Sequence, residues 1–325
     1  MNTQSQNDQI LPRLRNLYVK NPRDAAFAEH LNRLLKRSPS GDLLPEAARF
    51  TNTGETRGIM VIDGPSGGKS TMLQRGLSRH PVFAGCADGA HSYIGATVPS
   101  PATLKSMSDH LLTLTGYLST SARREVWSKW EMLKQRFLML NTVALWINEA
   151  HDLFCADKDL ILRAVKSLMQ GESAVIVILS GTEKLAEIVR SDPQVQRRFS
   201  TLILPPVDAE AEADRDDILD IIAAHCEIAG LDEPTEADLV DRLVHAARRR
   251  FRLCIEYSVM AIEQALQQGA DHLDMHHFAA AWSLLEGNEI ARNVLLADEW
   301  WQIDPDWASQ IKLAAARSRR RRAKA

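Results

Sequence analysis

Short extended segments alternate along the chain with longer segments in which apolar residues recur every three or four positions. Apolar runs bounded by turn residues predict buried strands, and a period of 3.6 predicts amphipathic helices. The predicted strands are 58–63, 92–98, 142–147, 174–179 and 201–204, separated by helices at 69–77, 101–115, 121–140, 157–170 and 182–190. This alternation predicts an α/β fold with a doubly wound, five-stranded parallel sheet, whose ligands bind at the carboxyl ends of the strands.

The regions outside this alternation are predicted to be helical or irregular. Residues 11–37 have helical spacing broken at Pro22, and a loop follows. After residue 208 every predicted element is a helix, which indicates a separate helical lid. We therefore expect four regions: a helical collar and loop at 1–57, a core at 58–207, a lid at 208–286, and a tail at 287–325 with a Trp cluster and an Arg-rich end.

The most informative stretch is Gly58 to Thr71, which reads as a buried strand, a glycine turn and the start of a helix. Its loop is predicted to bind a nucleotide through Gly64, Pro65, Ser66, Gly67, Gly68, Lys69, Ser70 and Thr71. Backbone N–H groups in such a loop converge on the β- and γ-phosphates, the lysine neutralises them, and the serine hydroxyl ligates Mg²⁺. The predicted cofactors are ATP and Mg²⁺. Asp63 stands where the usual G-x-x-x-x-G-K-S/T pattern has its first glycine.

The third predicted strand is followed by Asn148 and Glu149. Nucleotide hydrolases usually have Asp-Glu here, where the Asp holds Mg²⁺ through water and the Glu polarises the attacking water. Glu149 is therefore the candidate catalytic base, and Asn148 is a candidate metal ligand through water. Asn148 brings no charge, which predicts weaker Mg²⁺ binding and turnover unless Asp63 or Asp152 supplies the charge.

Three further segments carry candidate site residues. At the end of the fourth strand, Ser180 and Thr182 are equal candidates to orient the attacking water or sense the γ-phosphate; capping the next helix is the alternative for either. Before the fifth strand, Arg197 and Arg198 are candidates for an arginine that enters the nucleotide site of a neighbouring subunit, or for a solvated surface residue. In the lid, Arg252 is predicted to reach the phosphates of its own subunit.

Composition narrows the class of protein. A chain of 325 residues with 45% hydrophobic residues fits a two-domain globular protein. A net charge of −3 argues against general polyanion binding, although Arg248–Arg252 and Arg317–Lys324 are dense basic clusters that face nucleic acid or solvent. Four cysteines without C-x-x-C spacing indicate neither a zinc site nor disulfides. With no signal pattern and no apolar run of about 20 residues, a cytoplasmic protein without membrane contact is expected.

Together, the phosphate loop, the Asn148-Glu149 strand end, the Ser180-Gly181-Thr182 turn, Arg198-Phe199 and the basic lid helix resemble the AAA+ ATPases. Within that superfamily the chain resembles the TniB family of transposition ATPases, which is similar to TnsC and the phage Mu B protein. The likeness covers roughly residues 10–290. It implies a five-stranded parallel sheet sandwiched by helices, a C-terminal helical lid, and ATP hydrolysis placed in doubt by Asp63 and Asn148.

The resemblance also implies partners. Family members assemble as an ATP-bound ring or helical filament on duplex DNA and recruit a DDE-type transposase. The cluster of Trp300, Trp301 and Trp307 is a candidate contact for a neighbouring subunit, the transposase or a TniQ-like protein, or else packs on the lid. Candidate DNA contacts, with a solvated face as the alternative, are Lys105, Arg123, Arg124 and Lys129.

Two other functions fit the same residues. A helicase loader shares the nucleotide-binding core but acts on single-stranded DNA. A nucleotide-gated scaffold uses ATP only to join subunits, and the uncharged Asn148 favours it.

Overall fold

The computed structural model describes residues 3–84, 92–117, 125–153, 157–287 and 292–306. It divides the chain into two compact units. The first, here called the sheet unit, is Pro22–Pro205; the second, the helical unit, combines Met1–Asn21 with Pro206–Ala325.

The strands are β1 (Leu35–Arg37), β2 (Leu43–Ala47), β3 (Gly58–Ile62), β4 (Tyr93–Thr97), β5 (Ala144–Asn148), β6 (Ile176–Gly181) and β7 (Phe199–Ile203). The helices are α1 (Thr3–Asn16), α2 (Pro22–Asn32), α3 (Lys69–Ser78), α4 (Pro81–Ala84), α5 (Leu104–Leu114), α6 (Val126–Met139), α7 (Ala150–Leu153), α8 (Lys158–Leu168), α9 (Glu183–Arg190), α10 (Pro193–Gln196), α11 (Glu212–Ala229), α12 (Leu239–Ala246), α13 (Phe251–Gln268) and α14 (Met275–Glu286).

The predicted fold class is confirmed. Strands β3 to β7 form one parallel sheet in the order β4-β5-β6-β3-β7. Strands β3 and β6 are buried along their whole length, as expected for strands covered on both faces. The register pairs Ile147 with Leu179 and Ile62 with Gly181, so β3, β5 and β6 end at one edge of the sheet.

Two apolar clusters cover the faces of this sheet. One contains Trp130, Leu133 and Phe137 of α6 packed with β5 and β6. The other contains Phe27 of α2 and Leu73 of α3 together with β3. No helix in the described part of the chain is both long and apolar enough to span a bilayer.

The predicted N-terminal collar is divided between the two units. Helix α1 belongs to the helical unit, where Leu14 is buried among apolar residues of α11 and α13. Leu34 and Leu35 are predicted to be helical, but Leu34 lies after the end of α2 and Leu35 is the first residue of β1, which forms an antiparallel hairpin with β2. Both side chains are buried in the apolar cluster that contains Ile59 and Val61 of β3.

The helical unit includes more of the chain than the predicted lid. Val294 and Leu295, expected in an extended tail, are buried in the cluster that contains Tyr257 and Trp282. The Arg242 guanidinium donates to the carbonyl oxygens of residues 294, 295 and 297. The described part of the predicted tail, residues 292–306, is therefore folded onto the helices because its apolar side chains complete their core.

Candidate functional site

The loop between β3 and α3 leads into a helix N-terminus that no side chain caps. Helix α3 begins at Lys69 after Gly68, which has φ +97° and provides no side-chain cap. Ser66 also has positive φ, at +60°. Uncapped N–H groups and the positive end of the helix dipole form an anion site, and the left-handed turn directs the amides to one side.

Lys69 is almost fully buried and folds over this loop. Its Nζ lies 3.3 Å from the carbonyl oxygen of Asp63 and 3.2 Å from that of Gly64. Carbonyl oxygens are weak partners for an ammonium group, and phosphate oxygens are much stronger ones. The lysine is thus held where a phosphate would replace these acceptors.

Asp63 lies inside the phosphate loop. A Cβ atom added at Gly67 would lie 1.7 Å from Asp63 Oδ2, so only glycine leaves room for the carboxylate. Burial raises the pKa of Asp63, although the nearby charges of Arg23 and Lys69 oppose this shift. The acid is accommodated at a position that usually holds glycine because Gly67 and two cations surround it.

Arg23 of α2 was not among the predicted site residues. Its Nη1 donates to the Gly67 carbonyl oxygen at 3.1 Å, and its Nη2 donates to the Pro205 carbonyl oxygen at 2.7 Å. These bonds join the phosphate loop to the segment after β7. Since Gly67 lies 44 residues after Arg23, no local sequence pattern predicts the contact between them.

Asn148 connects the phosphate loop to β6. The hydroxyl groups of Ser70 and Ser180 both donate to Asn148 Oδ1, at 2.9 and 3.0 Å. Two oxygens, Ser70 Oγ and Asn148 Oδ1, thus face one another beside the loop. Mg²⁺ prefers oxygen ligands and keeps several waters, so this donor set fits the metal when phosphates provide further ligands.

Glu149 follows β5 in a left-handed conformation, with φ +53°. Such a conformation costs a non-glycine residue about 1 kcal/mol or more and is enriched at functional sites. Its Oε2 lies 3.5 Å from His151 Nδ1, while Asp152 Oδ1 lies 3.7 Å from the other ring nitrogen. His151, for which the sequence indicated no role, therefore lies between these two carboxylates. Asp152 is mostly exposed.

The two hydroxyl candidates after β6 have different environments. Ser180 is fully buried and bonded to Asn148, next to Ser70. Thr182 is the residue before the first turn of α9, and its side chain makes no capping hydrogen bond. The structure therefore brings Ser180, and not Thr182, into the hydroxyl and amide network.

The two arginines before β7 also differ. Arg198 is 2% exposed and forms a hydrogen-bonded ion pair with Glu55. Burial would raise the pKa of Glu55, but a hydrogen bond from Gln170 and the charges of both arginines lower it. The prediction that Arg198 enters a neighbouring site is corrected, because its guanidinium is buried and bonded to Glu55, whose side chain is 13% exposed. Arg197 has a 64% exposed side chain and lies 3.7 Å from Glu55 Oε2, and its entry into a neighbouring site stays a prediction.

The basic cluster of the helical unit is largely used internally. Arg248 pairs with Glu286 and Asp306, and Arg249 pairs with Asp208 and donates to the Val207 carbonyl oxygen. Arg252 is exposed at the second position of α13, and its contact with phosphates stays a prediction.

The remaining candidates are placed as follows. Lys129 is fully buried and donates to Asp109 at 2.6 Å, so its predicted DNA contact or solvated position is wrong. Lys105 is exposed, as is Trp301, whereas Trp300 packs against His245 and Arg242 of α12. Outside the described residues lie Arg123, Arg124, Trp307 and Arg317–Lys324.

The sheet order, the phosphate loop after β3 and the helical C-terminal unit define an AAA+ ATPase fold. The structure is similar to the Aeropyrum pernix ORC1 protein solved in complex with DNA, with TM-score 0.60 and 17% identity over 82% of this chain and 66% of that one. It is also similar to CDC6P from Pyrobaculum aerophilum, with TM-score 0.62 and 14% identity over 84% of this chain and 70% of that one. At these identities the likeness shows the fold.

A family model described as bacterial TniB protein matches residues 41–209, just over half of the chain. The chain belongs to the TniB family. No curated protein matches the sequence significantly.

Proposed function

We propose that this protein is an ATP- and DNA-dependent regulator of transposition, which binds ATP with Mg²⁺, assembles on duplex DNA and recruits a DDE-type transposase. The observation that carries the nucleotide-binding part is the loop that surrounds Lys69, with Ser70 bonded to Asn148 and Glu149 next along the chain. The transposition part rests on membership of the TniB family. The likeness to a DNA-bound ORC1 structure is consistent with a protein that acts on DNA.

The residues divide the work of binding. The backbone N–H groups of residues 66–69 would donate to the phosphates, and Lys69 would exchange its two carbonyl acceptors for phosphate oxygens. Ser70 and Asn148 would hold Mg²⁺, Asn148 through water; when bound, the metal supplies positive charge for the phosphates. Arg23 holds the loop from outside through the Gly67 carbonyl group.

Hydrolysis would depend on Glu149 as general base. Glu149 has a left-handed backbone conformation just after β5, and His151 Nδ1 lies 3.5 Å from its Oε2. A carboxylate within reach of the attacking water accepts its proton as the water attacks the γ-phosphate. Ser180 reaches the same centre only through Asn148 in the described arrangement. Arg197 of a neighbouring subunit would stabilise charge on the γ-phosphate.

Calorimetry with ATP and Mg²⁺ tests the nucleotide site. We expect wild type to bind ATP and Lys69→Ala to lose at least about 100-fold in affinity, since a charge-assisted contact to phosphate is removed. Lys36→Ala is the matched control because Lys36 is an exposed lysine of the β1–β2 hairpin paired with Glu46. Absence of ATP uptake by the wild-type protein would refute the nucleotide-dependent function.

Assembly on DNA is tested separately by sedimentation with ATP and either duplex or single-stranded DNA. The proposal expects larger assemblies on duplex DNA, formed only with ATP, and weaker binding as salt rises. A preference for single strands would favour a helicase loader. Recruitment is tested by adding a DDE-type transposase encoded beside this chain and measuring cosedimentation.

A scaffold with little hydrolysis is the second candidate, because an uncharged carboxamide replaces the usual acid at position 148. Phosphate release with and without duplex DNA separates the two functions. Substantial turnover that Glu149→Gln abolishes would exclude the scaffold. Turnover that is negligible in wild type and gained in Asn148→Asp would support it.

A further inference from the structure

The indole N–H of Trp146 is buried beside the candidate site. The nucleotide-binding motifs do not account for its hydrogen-bond partner. It lies on β5 two residues before Asn148, so the two side chains share one face of the sheet. Its indole Nε1 donates to Ser180 Oγ at 2.9 Å, and Ser180 donates onward to Asn148 Oδ1 at 3.0 Å. These bonds form a chain from the indole through the serine to the carboxamide.

The strand register builds this arrangement. Trp146 pairs with Ile178 on β6, and Ser180 follows two positions later on the same face. On the other side Trp146 pairs with Gly95 of β4. A Cβ atom at residue 95 would lie 2.9 Å from the indole ring, so this glycine leaves room for the indole.

The indole fixes the direction of its own hydrogen bond to Ser180 and keeps the Ser180 hydrogen from turning toward it. An indole N–H can only donate, and a serine hydroxyl has one hydrogen. Ser180 therefore accepts from Trp146, and its hydrogen points to Asn148, where it needs an oxygen. If the carboxamide were turned over, its NH₂ group would face the hydroxyl groups of Ser70 and Ser180. The Ser180 hydrogen would then be left without that acceptor at a fully buried position.

The direction matters because residue 148 is an amide. A carboxylate presents an oxygen in either orientation, whereas a turned carboxamide presents NH₂ groups that repel a cation and cannot accept from its water ligands. We propose that Trp146 is a positioning residue which, through Ser180, keeps the oxygen of Asn148 directed toward Ser70 and the Mg²⁺ position. This inference rests on the proposed nucleotide site and adds the means by which an amide serves there.

The test is the Mg²⁺ concentration needed to tighten binding of a non-hydrolysable ATP analogue in wild type and Trp146→Phe. Phenylalanine keeps an aromatic ring but removes the indole N–H, so the Ser180 hydrogen can turn to that side and the hydroxyl oxygen can accept from a turned carboxamide. We expect the Mg²⁺ midpoint to rise about five- to tenfold, the size of one ordinary hydrogen bond. Binding of the analogue in EDTA should not change, and Ser180→Ala should reproduce the shift with a smaller change in core volume.

Asn148→Asp supplies the decisive comparison. In that background Trp146→Phe should change the midpoint less than about twofold, because both carboxylate oxygens accept hydrogen bonds. Trp130→Phe is the matched control: its indole is also buried, but it donates to the Ala164 carbonyl oxygen and Ser167 on α8. An unchanged midpoint in Trp146→Phe, or an equal shift in the Asn148→Asp background, would overturn the proposal.

The orientation can also be measured without nucleotide. The side-chain NH₂ signals of Asn148, identified by their loss in Asn148→Asp, should form one set in wild type and two sets in Trp146→Phe. One unchanged set in both proteins would overturn the inferred orientation. Failure of wild type to bind the analogue both with Mg²⁺ and in EDTA would instead refute the proposed nucleotide site.

Discussion

Two polar clusters stand out in this chain, and they serve different purposes. At the end of β5, few groups hold the side chains of Asn148 and Glu149, and the phosphate loop keeps its amides without a side-chain cap. In the helical unit, Arg248 pairs with two carboxylates and donates to a backbone carbonyl group. The first cluster includes backbone N–H groups that a ligand can accept from, whereas the N–H groups of Arg248 in the second are bonded to acceptors within the protein.

The difference lies in the number of internal acceptors around each charge. Arg248 donates to Glu286, which also accepts from the Tyr257 hydroxyl group at 2.8 Å. The hydrogen bond to Glu286 raises the pKa of Arg248, and burial together with Glu286 raises that of Tyr257. Lys69 has only carbonyl oxygens, at 3.2 and 3.3 Å. The number of charged residues in a segment of sequence does not distinguish Arg248 from Lys69. The acceptors that surround each side chain in the folded chain do distinguish them.

The largest expected effect is that of Glu149→Gln. Loss of the general base should lower ATP turnover about 10²- to 10⁴-fold. Binding of the ATP analogue should be kept, because the phosphate loop is untouched. Phosphate release and calorimetry measure the two quantities. The matched control, Asp152→Asn, removes the other carboxylate near His151 and should retain turnover; equal losses in both variants would contradict the special role of Glu149.

The two arginines before β7 allow the same comparison within the sheet unit, between an exposed charge (Arg197) and a buried, paired one (Arg198). Arg197→Ala should lower turnover of the assembled protein at least about 100-fold if it acts as a finger from a neighbour, with little change in stability. Arg198→Ala should destabilise the unit by about 2–3 kcal/mol, because it leaves Glu55 buried without its main partner. Phosphate release and urea unfolding distinguish the two. The opposite pattern would reverse the assignment.

Breaking the ion pairs of the helical unit comes next. Arg248→Ala should cost about 2 kcal/mol, since the side chain is 12% exposed and holds Glu286 and Asp306. Arg252→Ala, at an exposed position four residues later, should change the free energy of unfolding by less than about 0.5 kcal/mol and lower ATP affinity. Denaturant unfolding and calorimetry check both. A large loss of stability in Arg252→Ala alone would invalidate the comparison.

The smallest effect is expected at Asp63. Because the pKa of Asp63 is raised in the folded protein, the native state binds more protons than the unfolded state at pH values between the unfolded-state pKa and the folded-state pKa. The free energy of unfolding therefore falls as pH rises through that range. Asp63→Asn should therefore increase the unfolding temperature by at most a few degrees near pH 7 and have less effect below about pH 4. Thermal unfolding at several pH values measures this. A gain that grows as the pH falls would contradict the inferred direction.

Much of the sheet unit was predictable because its signals are local. Five short extended segments and the Gly64–Thr71 segment specified the α/β fold, the glycine loop between β3 and α3, and the positions of Asn148 and Ser180 near the ends of their strands. The β1–β2 hairpin was missed, since Leu34 and Leu35 continue the apolar spacing of α2, and a short apolar stretch fits the end of a helix as well as a strand. Contacts made by Arg23 have no local pattern at all.

The sequence by itself determined which chemical groups this protein has at the strand ends. They are Lys69 after a loop with three glycines, the amide Asn148 in place of an acid, and the carboxylate of Glu149 beside it. Only the tertiary structure decided which conspicuous charges remain for a ligand. Arg198, Lys129 and Arg248 form ion pairs with Glu55, Asp109 and Glu286, respectively. These partners lie 143, 20 and 38 residues away along the chain. The physical reason is that the cost of burying a charge depends on its acceptor, and the fold brings that acceptor from a distant part of the chain.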